Sequence, residues 1–136
     1  MGMVFKTKTI RQSVTFKAAP EEVYGALMDS SKHSEFSGAK ASISNEVGGK
    51  FTAYGGGLEG TNLELVPGKK IVQAWRAEME HWPKGHYSKV VFLLKKVKDG
   101  TRLAFTQSSV PVACFASISQ GWHDYYWKPM KKMLER

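Results

Sequence analysis

The chain has 136 residues, 42% hydrophobic and 24% charged, a balance that fits one globular domain over residues 1–136 and excludes a disordered or fibrous polypeptide. Its formal net charge of +8, from 20 Lys and Arg against 12 Asp and Glu, reads either as a solvated basic surface or as the footprint of an anionic partner: nucleic acid, membrane or an acidic protein. No apolar run approaches the roughly 18 residues of a membrane span, no signal-peptide pattern opens the chain, and the lone Cys114 cannot form an internal disulfide. These features suit a cytoplasmic protein that does not insert into a membrane. Met1-Gly2 opens like a myristoylation signal, but Lys6 stands where that motif needs Ser or Thr.

Ile10, Gln12, Val14 and Phe16 alternate with Arg11, Ser13, Thr15 and Lys17, the period of a half-buried strand. Pro20, followed by Glu21 and Glu22, marks a helix start. Val23 with Leu27, and Tyr24 with Met28, then pair along one helix face. Asp29–Gly38 is small and polar and reads as a broken short helix or a loop. The middle of the chain is a series of strands: Ala41 and Ile43, Lys50–Tyr54, Leu58–Val66, Ile71–Glu78, His86–Lys98 and Thr101–Ser109. Gly48-Gly49, Gly55-Gly56-Gly57 and Pro67-Gly68 supply turns, and Asp99-Gly100 predicts a type I′ hairpin. Short turns between consecutive strands make an antiparallel meander.

Pro111 ends the last strand. Beyond it, Trp122, Tyr126, Met130 and Met133 fall at spacings of four, four and three, a helical stripe widened by Tyr125 and Leu134. Lys128, Lys131 and Glu135 take the other face. Ser119 is the predicted N-cap, with a start one turn earlier left open. From Ser119 to Glu135 the helix would be about 25 Å long. Pro129 cannot donate to the carbonyl of Tyr125, so a kink is expected there. The order of strand, helix, six strands and long helix predicts an α+β fold. Its curved antiparallel sheet wraps around the C-terminal helix, with a short helix after the first strand. A cavity between sheet and helix would be lined by Phe51, Trp75, Phe92, Phe105, Trp122 and Tyr126.

The side-chain chemistry argues against catalysis. His33, His81, His86 and His123 include no pair at the i,i+4 spacing of a helical zinc site, and Cys114 has no cysteine partner, so no metal is expected. His123 and Asp124 are neighbours on a helix and point about 100° apart, which prevents them from pairing. There is no nucleophile elbow, and Gly55–Gly57 lacks the Gly-Lys-Ser/Thr of a phosphate loop. The expectation is a non-enzyme without cofactor. Lysines are spread along the chain, and no zinc-finger, helix-turn-helix or ribonucleoprotein signature is present. Basic charge alone is a weak footprint of nucleic acid, so an acidic protein surface is the expected partner. The aromatic stripe of the last helix reads first as core and more sharply as the wall of a ligand cavity. Trp82, beside Pro83 and Gly85 in a loop, either tucks back onto the sheet or anchors an interface. Trp82, Lys84 and His86 are accordingly the candidate partner-binding residues.

Four segments carry a family resemblance: Gly48-Gly49-Lys50-Phe51, the run Leu65–Arg76, Trp82-Pro83-Lys84-Gly85-His86-Tyr87, and Gln120–Tyr126. In this order they resemble the C-terminal domain of the activator of heat-shock protein 90 ATPase, from about Ile10 to Leu134. The resemblance implies the helix-grip fold of the START/Bet v-like superfamily. It implies a co-chaperone-like domain that binds heat-shock protein 90, favours its closed state and stimulates its ATPase. The two-domain eukaryotic activator adds a separate N-terminal domain with an Asn- and Trp-rich motif, which has no counterpart in these 136 residues. Other members of the superfamily hold lipids, hormones or polyketides in the cavity, so the alternative is a carrier of a small hydrophobic ligand.

Overall fold

The computed structural model describes residues 5–136. Strand β1 (Thr7–Phe16) is followed by helices α1 (Pro20–Met28) and α2 (Ser30–Ser37). Six strands come next: β2 (Ser42–Ile43), β3 (Lys50–Ala53), β4 (Leu58–Val66), β5 (Lys70–Ala77), β6 (Ser88–Val97) and β7 (Gly100–Pro111). The C-terminal helix is continuous through three parts: α3 (Val112–Trp122), a π-turn (His123–Trp127) and α4 (Lys128–Leu134). One antiparallel sheet takes the order β1-β7-β6-β5-β4-β3-β2. The meander thus runs from β2 to β7, and β1 closes against its last strand.

Local chemistry accounts for each departure from the sequence expectations. Asp29–Gly38 forms a defined helix. The Asp29 carboxylate accepts the Lys32 backbone N–H at 2.9 Å, Gly38 ends the helix at φ 70°, and His33 and Phe36 bury one face. The β6–β7 turn is not type I′, which needs positive φ at both central residues. Val97 pairs with Gly100, so Lys98 and Asp99 form the turn, and only Asp99 is left-handed, at φ 67°. Gly100 is required for a different reason: a Cβ there would lie 2.0 Å from the Phe16 carbonyl oxygen. Ser119 is not an N-cap. The helix begins at Val112 directly after Pro111, and Cys114, Ile118 and Trp122 extend the buried stripe N-terminally at intervals of four.

The defect expected at Pro129 takes the form of the π-turn just before it. The Lys128 N–H bonds the carbonyl of His123, five residues back. A turn widened by one residue brings Trp127, five after Trp122, to the inner side of the helix. The two indoles stack with centroids 5.5 Å apart. The same widening turns Tyr125 outward, where it is 60% exposed instead of joining the stripe.

Inward-facing residues of the sheet, among them Ile10, Phe16, Ile71, Val90, Leu103 and Phe105, form the core beneath the C-terminal helix. The fold is the helix-grip arrangement, an α+β sheet curved around a long terminal helix.

Candidate functional site

Two amide–indole clamps fix the helix on the sheet. Trp122 Nε1 donates to Gln107 Oε1 at 2.8 Å, Gln107 Nε2 donates to Ser88 Oγ at 2.9 Å, and Ser88 Oγ donates to the Trp75 carbonyl at 2.9 Å. Trp127 Nε1 donates to Gln12 Oε1 at 2.7 Å, while Gln12 Nε2 reaches back to the Ser119 carbonyl at 2.9 Å. Every buried polar atom in these chains has a partner, so each clamp adds position without an unpaired group. Between the clamps Phe105 packs 4.4 Å from Trp122 and 5.4 Å from Trp127, and this end of the interface is filled.

The other end is open. A cavity of ≈530 Å³ lies between the C-terminal helix and the β4–β5 end of the sheet. Trp75, Trp122 and Tyr126 form its inner wall, Leu58, Ala77, Met79 and Ile118 add apolar lining, and Glu78 and Ser117 also border it. Tyr54 stands at its rim with a left-handed backbone, φ 52°. Its hydroxyl donates to the Tyr125 carbonyl, the acceptor that Pro129 leaves without its helical donor. Burial, then the neighbouring Tyr125 phenol, pushes the Tyr54 hydroxyl up to about 12, so it stays a donor.

Behind Tyr126 lies His33, 5% exposed. Its Nδ1 donates to the Leu27 carbonyl at 3.2 Å, which leaves Nε2 to accept the Tyr126 hydroxyl at 3.0 Å. Burial holds this imidazole down to about 4, partly opposed by the Leu27 hydrogen bond, so it is neutral near pH 7.

Of the six residues expected around a cavity, Trp75, Trp122 and Tyr126 line this one. Phe51 and Phe92 meet the same three around a neighbouring void of only ≈20 Å³. Phe105 touches neither space and lies behind Trp122.

The loop candidates separate. Trp82 is 6% exposed, lies 5.6 Å from the Trp75 ring and donates Nε1 to the His86 carbonyl at 2.8 Å. It tucks onto the sheet and supports the loop from beneath. His86 is half-buried, with Nε2 donating to the Ser109 carbonyl at 2.7 Å, and Lys84 is exposed.

Sequence reasoning passed over Tyr54, Leu58, Met79 and Ile118 as cavity residues, and His33 and Trp127 as its supports. The glycine run behind Tyr54 and Pro129 two places after Trp127 were the available signals. Among the described residues, no cluster of three His, Cys, Asp or Glu could hold a metal, and no helix is long and apolar enough to cross a membrane.

Residues 17–135 match the family described as activator of Hsp90 ATPase homolog 1-like protein. The chain belongs to that family. An activator of 90 kDa heat shock protein ATPase homolog from Dictyostelium discoideum is 34% identical over 117 residues, 85% of this chain and 30% of the relative. The human activator homolog 1 is 30% identical over 132 residues, 97% of this chain and 38% of the relative. The chain therefore spans well under half the length of these curated relatives. An Hsp90 activator of known structure from Plasmodium falciparum superimposes with a TM-score of 0.86 at 24% identity, over 93% of this chain and 96% of that one. That likeness establishes the shared fold.

Proposed function

We propose that this member of the activator family is a non-catalytic, cytoplasmic co-chaperone domain that binds heat-shock protein 90 and stimulates its ATPase. The observation that carries the reading is the family match over residues 17–135, shared with relatives named as activators of that ATPase. A net charge of +8 suits an acidic protein partner. Stimulation without chemistry follows from binding one conformation of the chaperone more tightly than the other, which shifts its equilibrium by the difference in affinity. Lys84 and His86, held up by buried Trp82, are one proposed contact. The test is the ATPase rate of purified heat-shock protein 90 titrated with this chain. A saturable rise in rate is expected, with Lys84→Ala slowing association and lowering its salt dependence. A flat titration, together with no binding by calorimetry, would overturn the reading.

The open cavity favours a second reading, in which the domain carries a small hydrophobic molecule against Trp75, Trp122 and Tyr126. Protein purified from its native source should then show an added low-mass apolar compound in native mass spectrometry. A spectrum of bare chain only would count against it.

A further inference from the structure

The outer face of the sheet is the largest feature left without a role. Strand register places Arg11 beside Thr106, Thr106 beside Val91, and Val91 beside Val72 in one row across the sheet. The next rows set Ala104 beside Leu93, and Arg102 beside Lys95. The result is an apolar strip of half-buried Val91 with exposed Leu93 and Ala104, Leu93 being 46% exposed; Val72 continues the row but is itself covered, and cations border the strip.

Four of those cations, Arg11, Lys89, Lys95 and Arg102, are exposed, and none has an ion-pair partner among the described residues. The acidic residues on the face are already engaged, Glu64 with Lys70 at 3.2 Å, and Glu59 and Glu78 with Arg76 at 3.6 and 2.8 Å. Lys95 and Arg102 stand directly opposite each other on adjacent strands, an arrangement of like charges that weakens a sheet. The fold bears that repulsion without a carboxylate to relieve it.

We propose that this face docks an acidic protein segment whose carboxylates meet the cationic border while its apolar side chains cover the strip. Charge complementarity selects the occupant's sign. The strip selects protein over nucleic acid, because it offers methyl groups, and Tyr87, the exposed ring on this face, is held at 3.2 Å to the Glu59 carboxylate, which repels a phosphate backbone. Unpaired border charges raise the local concentration of an acidic partner and speed its association, and the apolar centre supplies the desolvated contact that holds it.

The probe is a fluorescein-labelled peptide of alternating Glu and Leu, followed by fluorescence anisotropy at two salt concentrations. Two triple variants with equal change in net charge are compared: Lys89→Glu, Lys95→Glu, Arg102→Glu on the sheet, and Lys128→Glu, Lys131→Glu, Lys132→Glu on the helix. Circular dichroism reports folding. The sheet triple should lose about tenfold or more in affinity, and the helix triple about twofold or less. Leu93→Ser should weaken binding with no change in salt dependence. If the sheet triple unfolds, Lys89→Glu and Lys95→Glu singly should show the same ordering at smaller size.

Equal losses in both triples would mean that net charge alone attracts the peptide, and the proposal fails. It fails also if the parent does not bind the peptide, or if oligodeoxythymidine or phosphatidylserine vesicles bind this face more tightly.

Discussion

At one end of the helix–sheet interface Trp122 stacks on Trp127 and presses on Phe105, with no cavity among the three rings. At the other end the same Trp122, with Trp75 and Tyr126, faces ≈530 Å³ of unfilled space. Voids forfeit dispersion contacts, so an open end weakens a domain unless the rest holds the helix in place. Here both indole–amide clamps anchor through Trp122 and Trp127, five residues apart across the π-turn. The filled end fixes position, which lets the open end stay open. Substitutions at the filled end should therefore cost stability, and those at the open end should act mainly on what enters the cavity.

The largest effect is expected at the residue shared by both ends. Trp122→Ala removes a buried indole and leaves Gln107 Oε1 without its donor. It should cost about 3–5 kcal/mol in a urea titration. A loss under about 1 kcal/mol would show that the clamps do not hold the helix.

Acid should act next, through the wall behind Tyr126. His33 titrates near 6.5 when unfolded and is held down to about 4 by burial in the fold. Below 6.5 the unfolded chain takes up a proton that the native state refuses, so this contribution to stability falls as pH drops, and levels off below about 4. Between pH 7 and pH 5 the loss should be about 2 kcal/mol. His33→Phe should flatten that slope. Equal stability of the parent at the two pH values would contradict the burial of a neutral imidazole.

How much of this was legible depends on the period of each segment. Alternation of Ile10, Gln12, Val14 and Phe16 marked β1, because a half-buried strand writes its register into the sequence. The turn at Pro67-Gly68 sets the register of β4 with β5 from Val66–Lys70 to Glu64–Val72, and a bulge at Leu63 then shifts it by one residue, so that Leu58 meets Ala77. The stripe of the last helix was readable throughout, since Trp122, Tyr126, Met130, Met133 and Leu134 all face the core; the π-turn, which breaks the 3.6-residue period, misplaced only Tyr125 and hid Trp127. Trp127 and Tyr125 consequently exchange faces relative to an unbroken helix. Trp75, Trp122 and Tyr126 of the cavity wall were visible as inward aromatics. Tyr54 and Ile118 were not, since one lies in a left-handed turn and the other in a helical stretch taken for the approach to Ser119. Burial of Trp82 was one of two open readings, and only its contacts with Trp75 and His86 decide it.

A smaller effect is expected at the cavity rim. Tyr54→Phe keeps the ring and removes the hydroxyl that satisfies the Tyr125 carbonyl. The cost should be about 1 kcal/mol, the net worth of one hydrogen bond. With the rim released, binding of 1-anilinonaphthalene-8-sulfonate should strengthen. Stability lost with dye binding unchanged would separate the hydrogen bond from access to the cavity.

The smallest expected effect has the opposite sign. Gly121 lies inside α3 and on the cavity wall. Its backbone is not left-handed, and an added Cβ would come no nearer than 3.6 Å to the Tyr125 ring, an ordinary contact. Glycine in a helix interior costs roughly 0.5–1 kcal/mol relative to alanine, because the unfolded chain has more freedom to lose. Gly121→Ala should therefore raise the thermal midpoint by about 2–5 °C. The new methyl also projects into the open end, where it should weaken dye binding while leaving the filled end untouched. A midpoint that rises while the dye binds less well would mean that this glycine keeps the cavity open at the expense of the helix. A falling midpoint would mean that the wall at Gly121 is already closely packed, and the contrast between the two ends would be smaller than the cavity volume suggests.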